Sequence, residues 1–537
     1  MSEKRKLDEI KSSLWEMANK LRGTMDASEY KNYILAFMFY RYLSEKQMNY
    51  LVDQDLIIVE PGMTVNEAYA KDANNEENRK DFLEELTSAL GYGIMPENTW
   101  QSLIDKINNS KVIPSDYQKI FDEFNASTKM NKEAEIDFYG VFSDVNLGDS
   151  RLGTTTVDRA KSLNKIVNLV NDIAYKDDSG KDVLGSIYEY LIQQFAASAG
   201  KKGGEFYTPH EVSIVMAKIV TEDKEAEKQA FTVYDPTCGS GSLLLTVGDE
   251  LKGGHKPGAI QYYGQEMNTT TYNLARMNLM MHGVNYQNMH ISNANTLGRD
   301  WPDGPDAKGI DHPRSFDAVV ANPPYSAKWE PTESTIKDPR YKDYGRTAPK
   351  SKADYAFLLH GLFHLNSEGT MAIVLPHGVL FRGAAEGMIR ENLIKKNLID
   401  TIIGLPANLF YGTSIPTIIM VLKRNKKTRD VFFIDASNEY EKIKNKNILT
   451  KENIEKIYQT YKNREDIDKY SHVATYAEIE SNDYNLNIPR YVDTSEPEEE
   501  IDLEAVIREI SKDDEEIQKL QKEINEQLKM LGLTPIQ

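Results

Sequence analysis

Val233-Tyr-Asp-Pro-Thr-Cys-Gly-Ser-Gly-Ser-Leu-Leu-Leu245 is the stretch on which the fold turns. An apolar run ends on the acid Asp235, a Gly-Ser-Gly turn follows, and a leucine-rich run then opens a helix. Strand, glycine loop and helix in that order make the nucleotide-binding unit of open parallel sheets. Gly239 and Gly241 lack side chains, so a ligand can lie against the backbone of Gly239, Ser240, Gly241 and Ser242. The spacing is neither the GxGxxG of dinucleotide enzymes nor the Gly-Lys-Ser/Thr ending of a phosphate loop, which points to a nucleoside ligand without a pyrophosphate. Asp235, at the strand end, would meet a positive group such as an amine or a sulfonium.

Downstream, Tyr262-Tyr-Gly-Gln-Glu266 ends the next strand on a carboxylate, Glu266, placed where a ribose diol is held in such sheets. Further apolar runs at Phe316–Ala321, Thr370–Leu375, Leu398–Gly404, Thr417–Leu422 and Val431–Ile434 join Phe231–Tyr234 and Ile260–Gln265. Most are continuous rather than alternating, as in a parallel sheet covered on both faces, and predict a doubly wound α/β domain. The run Phe316-Asp-Ala-Val-Val-Ala-Asn-Pro-Pro-Tyr325 carries the sharpest chemistry. Pro323 and Pro324 stiffen the backbone and remove two amide donors, leaving carbonyls to accept. The Asn322 side-chain oxygen and the Pro323 carbonyl can then both accept from one exocyclic amino group and aim its lone pair at an electrophilic methyl. Tyr325 would stack on a planar base drawn out of its helix. Upstream, Lys201-Lys-Gly-Gly-Glu-Phe-Tyr-Thr-Pro-His-Glu-Val212 holds Thr208 and Glu211 at capping-box spacing with Pro209 between, predicting a helix that starts at Thr208.

Around this core the chain changes character. Residues 1–150 read as helical: Ile10, Leu14, Met17 and Leu21 mark one face, and a second helix over Ser28–Asp53 is apolar nearly all round, so it should be buried. Asp72-Ala-Asn-Asn-Glu-Glu77 reads as a loop, and Gly148–Thr156 as the boundary to an α/β part over 151–492. Leu503, Ile507, Ile510, Ile517, Leu520, Ile524, Leu528 and Leu531 recur near every 3.5 residues in an acidic tail, 493–537, which predicts an amphipathic docking helix. Ser326–Lys352 is polar, with seven basic and four acidic residues, and is expected to close over DNA and to order on binding it. The whole chain has 64 basic and 83 acidic residues, a net charge of −19, which argues against a self-sufficient duplex binder while leaving room for a local basic face. One cysteine excludes an internal disulfide, the nine histidines show no metal-ligand spacing, and no metal is expected. The start has no signal-peptide core, and a cytoplasmic location is expected.

The order of these motifs resembles the amino-methyltransferases of DNA that place Phe-Tyr-Thr-Pro ahead of the cofactor loop. More narrowly, Asp182-Val-Leu-Gly-Ser-Ile-Tyr-Glu-Tyr-Leu191 leading into Gly203-Gly-Glu-Phe-Tyr-Thr-Pro209 resembles the modification subunit of type I restriction–modification systems, over nearly the whole chain. That resemblance implies a Rossmann-like S-adenosylmethionine-dependent methyltransferase domain, preceded by a helical domain and followed by a helical tail. It implies that Glu205, Phe206, Tyr207, Thr208, Pro209, Asp235, Gly239, Ser240, Gly241, Ser242 and Glu266 surround S-adenosyl-L-methionine, and that Asn322, Pro323, Pro324 and Tyr325 hold the adenine. Within His290-Ile-Ser-Asn-Ala-Asn-Thr-Leu297 it implies a contact to the cofactor's adenine from Asn295, where relatives commonly carry Asp, with Asn293 the alternative. Leu405-Pro-Ala-Asn-Leu-Phe-Tyr-Gly-Thr413 resembles a loop that supplies a second aromatic wall, Phe410, whose alternative is a core aromatic.

The expected reaction is direct displacement: adenine N6 attacks the sulfonium methyl, and positioning carries most of the rate. Only about 70 residues separate Arg424 from the tail, little room for reading base edges. With the acidity, this implies a separate DNA-specificity subunit and two copies of this chain per complex on double-stranded DNA. The resemblance adds a restriction subunit. Methylation of a protein glutamine amide, methylation of cytosine N4, and a non-catalytic scaffold remain as alternatives.

Overall fold

Each apolar run becomes a strand, and four strands lie where none was anticipated. In the computed structural model, residues 27–109, 112–173, 183–198, 207–226, 230–298, 314–410, 413–444, 446–494 and 502–536 are described. The strands are β1 (Phe231–Asp235), β2 (Ile260–Gln265), β3 (Met289–Ser292), β4 (Phe316–Ala321), β5 (Leu365–Pro376), β6 (Ile399–Gly404), β7 (Thr417–Lys423), β8 (Val431–Asp435), β9 (Glu441–Ile443), β10 (Lys446–Ile448) and β11 (Ser471–Ala474). Nine form one sheet in the order β11-β8-β6-β7-β5-β4-β1-β2-β3, while β9 and β10 pair separately. The unanticipated ones, β3, β9, β10 and β11, are three or four residues long and partly polar, too short to show a period.

The expectation of a parallel sheet needs correction at two strands. β3, β2, β1, β4 and β5 are parallel neighbours, but β7 runs antiparallel to both β5 and β6, and β11 runs antiparallel to β8. No helix is described between β6 and β7, so the chain turns back beside β6 instead of crossing over, which a parallel partner would require. The run Thr417-Ile-Ile-Met-Val-Leu-Lys423 is buried on both faces and reads the same in either direction. From β1 the chain winds outward through β2 to β3, then returns to β4 on the other side of β1 and continues to β5. The C-terminal ends of β1 and β4 therefore lie at the topological switch point, where open sheets bind ligands.

Two apolar cores sandwich the sheet. Val233, Val320, Ile419 and Val421 face one, and Tyr234, Val319, Ile418 and Met420 face the other. The first core extends into the helical layer. The buried helix expected over Ser28–Asp53 runs Ala27–Asp53 with Ile34, Leu35, Phe37, Met38 and Leu43 buried. The helix expected over Ile10–Leu21 lies outside the described residues. The Asp72–Glu77 loop shrinks to Ala73–Asn75: Asn75 caps the helix Glu76–Leu90, whose first-turn acids suit the positive helix end. After the turns at 148–155, Thr155 caps the helix Thr156–Asn171, which packs on Ala27–Asp53, so the helical layer runs on to Asn171. Arg276, 2% exposed, lies in the helix Thr269–Met281, which packs on β3, and ties it to the helical layer by donating from Nη1 to the carbonyls of Ile136, Asp137 and Tyr139 at 3.2, 3.0 and 3.1 Å.

The described residues up to Val492 form one compact unit, and those from Asp493 form a second. The second is a single helix, Leu503–Met530, capped by Asp502, with Leu503, Ile507, Ile510, Ile517, Leu520 and Ile524 exposed along it.

Candidate active site

Four strand ends place the chemistry. Asp235 closes β1, Glu266 follows β2, Asn295 follows β3, and Asn322 follows β4, all at the C-terminal edge of the sheet. The Gly-Ser-Gly turn folds because Gly239 and Gly241 adopt φ of 55° and 76°, in the left-handed region open to glycine. The Gly241 amide donates to the Cys238 carbonyl at 2.8 Å, and the helix Ser242–Glu250 starts there. Ser240 and Ser242 are buried inside the turn, their hydroxyls 3.1 Å apart, and Asn278 Nδ2 donates to the Ser240 carbonyl at 2.9 Å.

Asp235 is 2% exposed and accepts from the Thr237 amide at 2.9 Å. Burial, helped by the charge of Glu266, pushes its carboxyl up to about 7. Burial also raises Glu266, whose two oxygens accept from the amides of Gly239 at 3.2 Å and Asn268 at 2.8 Å. A carboxylate has about four lone-pair directions, so these two bonds leave capacity for a diol. Two desolvated carboxylates side by side attract a cation, which supports the fit of a sulfonium or an amine at this place. Asn295 and Asn293 part company: Asn295 lines a cleft with Glu266, while Asn293 donates to the carbonyls of Glu266 and Met267 at 2.8 and 3.1 Å.

That cleft, about 390 Å³, brings Glu266, Asn295, Asn322 and Pro324 together. Asn322 Nδ2 donates to the Thr208 hydroxyl at 3.1 Å, and the Tyr325 hydroxyl donates to Asn322 Oδ1 at 2.9 Å. Both ends of the amide are thus oriented. The helix expected from Thr208 begins instead at His210; Pro209 takes the cap position with no side-chain bond, and its carbonyl accepts from the amides of Val212 and Ser213. Thr208 is drawn to Asn322, and Glu211 lies 3.9 Å from Lys446, so neither closes a capping box. Tyr207 is buried; Glu205 and Phe206 lie outside the described residues. Phe410 is 5% exposed, joins the first core, and meets Tyr325 edge-on with ring centroids 5.9 Å apart. Behind the turn, Ser326, at φ 52°, donates its amide to Asp354 at 2.8 Å, and Asp354 is held by Arg382 at 2.7 Å.

The segment 326–352, expected to order only on DNA, is already pinned. The Ala353 amide donates to the Ala327 carbonyl at 2.9 Å, Trp329 Nε1 donates to the Pro349 carbonyl at 3.0 Å, and Trp329, Tyr341 and Ala348 are buried in the second core. Aromatic and alanine anchors inside a polar stretch explain the difference, since composition averages them away. The cleft also takes in Gln265, Met267, Lys328, Trp329 and Phe357, none singled out from sequence. For Trp329 a signal existed, as one of only four tryptophans and close behind the Asn-Pro-Pro-Tyr turn. No helix among the described residues is long and apolar enough to cross a membrane.

Known proteins resemble this chain in sequence and in fold. Residues 179–500 match the model of the N-6 DNA methylase family, and residues 10–170 match that of the HsdM N-terminal domain. The type I restriction enzyme MpnII methylase subunit of Mycoplasma pneumoniae is 35% identical over 530 residues, 97% of this chain and 95% of that protein. The MjaVIII methylase subunit of Methanocaldococcus jannaschii is 35% identical over 72% of this chain and 66% of its own length. Among solved structures, the type I restriction–modification methyltransferase subunit from Streptococcus thermophilus superimposes with a TM-score of 0.82 at 45% identity, covering 91% of this chain and 100% of that one. With its switch-point cleft, its Asn-Pro-Pro-Tyr turn and a relative matched over 97% of this chain and 95% of its own length, the chain belongs to the N-6 DNA methylase family, as a type I restriction enzyme methylase subunit.

Proposed function

We propose that this chain methylates N6 of adenine in duplex DNA, with S-adenosyl-L-methionine held by Asp235, the Gly239–Ser242 turn, Glu266 and Asn295. The observation that carries this is one cleft shared by Glu266 and Asn295 on one side and by Asn322 and Pro324 on the other. Bound there, S-adenosylmethionine supplies the methyl from its sulfonium and leaves as S-adenosylhomocysteine. The chain's own residues position the acceptor. Asn322 Oδ1 and the Pro323 carbonyl accept from the amino group, Tyr325 and Phe410 wall the extruded base, and Thr208 holds the Asn322 amide in place. No strong base is needed, because the amine proton is released to solvent after transfer.

The division of labour that goes with this is a helical domain expected over 1–150, to whose layer the helix Thr156–Asn171 adds, a catalytic α/β part within 151–492 and an acidic tail over 493–537 for docking. The net charge of −19 favours a separate specificity subunit that reads the sequence, with two copies of this chain and a restriction subunit completing a cytoplasmic complex. The test is mass spectrometry of nucleosides from DNA incubated with the purified chain and S-adenosylmethionine, with and without its specificity subunit. N6-methyladenine that requires the partner supports the proposal. N4-methylcytosine, or unmodified DNA with both subunits present, refutes it.

A further inference from the structure

Arg340 belongs to the polar segment that follows the Asn-Pro-Pro-Tyr turn, yet its side chain is 2% exposed. Its guanidinium spans the segment and the loop after β3. Nη1 donates to the Thr296 carbonyl at 2.8 Å and to His360 Nδ1 at 3.1 Å. Nη2 donates to the Gly298 carbonyl and, at 2.7 Å, to Asp338 Oδ2, while Nε donates to the Asp338 carboxylate at 3.1 Å. All five N–H groups are engaged. A guanidinium only donates, so His360 Nδ1 must accept and Nε2 must carry the ring proton. That proton points to the Tyr234 oxygen at 2.7 Å, and the Tyr234 hydroxyl donates in turn to Gln265 Oε1 at 2.6 Å. His360 is fully buried, and burial holds it well below the ordinary histidine range, so the neutral ring this direction requires is the resting one. Both ends of the chain of bonds reach the cleft: Thr296 and Gln265 line it, and Thr296 stands next to Asn295.

We propose that Arg340 is a positioning residue for the cofactor: it clamps the Asn295–Gly298 wall directly and, through His360 and Tyr234, sets the side-chain orientation of Gln265. Cofactor affinity then depends on a residue carried by the segment beside the base-binding turn, and the transfer step itself does not. This rests on the cleft being the S-adenosylmethionine site. Asp338 neutralises the buried charge at the same time, so the clamp is held without a bound anion.

The test uses the full chain with its specificity subunit and measures S-adenosylmethionine affinity by calorimetry, together with kcat, KM and melting temperature. Arg340→Lys keeps the charge but has three donors in place of five. Kd and KM for S-adenosylmethionine should rise roughly ten- to a hundredfold, with kcat at saturation falling less than about threefold. A second pair reads the relay without touching the arginine. His360→Asn keeps an acceptor near the Nδ1 position for Arg340 but loses the Nε2 donor to Tyr234, so it should bind roughly threefold more weakly than wild type, whereas His360→Leu, which also leaves an Arg340 donor without its acceptor, should lose roughly tenfold. Unchanged affinity in Arg340→Lys, equal affinity of the two His360 variants, or a loss confined to kcat overturns the proposal while the cleft assignment stands. Failure of the wild-type complex to bind S-adenosylmethionine at all overturns the cleft assignment, and this proposal with it.

Discussion

Replacing Asp235 with asparagine should remove most of the protein's own contribution to the pH dependence of cofactor binding. An aspartate in water is fully ionised near neutrality, but burial and the neighbouring Glu266 lift this one to about 7. A cationic ligand selects the ionised carboxylate, so a proton competes with it. The ionised fraction is about nine-tenths at pH 8, half at pH 7 and about a tenth at pH 6, so affinity should fall roughly tenfold from pH 8 to pH 6, about 1.4 kcal/mol. The stability of the ligand-free fold moves the other way. A carboxyl whose folded-state pKa lies above its unfolded value stabilises the fold in acid, and that contribution is lost as pH rises from about 4 through 7. Asparagine keeps an oxygen for the Thr237 amide, now 2.9 Å from Asp235, so the turn persists. Because the ligand's amine also titrates, the informative quantity is the ratio of the two dissociation constants, D235N over wild type, from calorimetry at pH 6, 7 and 8. It should grow about tenfold over that range. A ratio independent of pH would show that Asp235 does not face the positive end of the ligand.

Further outcomes follow from single residues. Asn322→Ala removes the amide bridging Thr208 and Tyr325, and should lower kcat roughly a hundred- to a thousandfold while cofactor Kd stays within about threefold; equal losses in both would contradict its role at the base. Arg276→Met strips the donor from the carbonyls of Ile136, Asp137 and Tyr139 and should destabilise by about 3 kcal/mol, read as a lower urea midpoint at unchanged slope; a loss under about 1 kcal/mol would mean water replaces it. Gly241→Ala forces a side chain into φ 76° and should cost about 1–2 kcal/mol, visible in thermal melts even though the added methyl meets only ordinary contact with Leu279 at 3.4 Å.

The sequence alone determined the strands that end on the candidate site residues. Val233–Asp235, Ile260–Glu266 and Phe316–Asn322 are apolar runs that stop at a polar group, and that pattern is local, so it can be read without knowing any neighbour. The buried helix Ala27–Asp53 was legible for the same reason. What tertiary structure decided is what depends on distant partners. Thr208 bonds Asn322 across 114 positions instead of capping its own helix. Arg340 clamps the Thr296 carbonyl across 44 positions, although its surroundings in sequence are those of a solvated loop. The direction of β7, the anchoring of segment 326–352 and the choice of Asn295 over Asn293 at the cleft are of the same kind. Local propensities differ by tenths of a kcal/mol up to about one, whereas leaving a buried donor or acceptor unpaired costs about 1–3, so long-range pairing outweighs local preference wherever the two conflict.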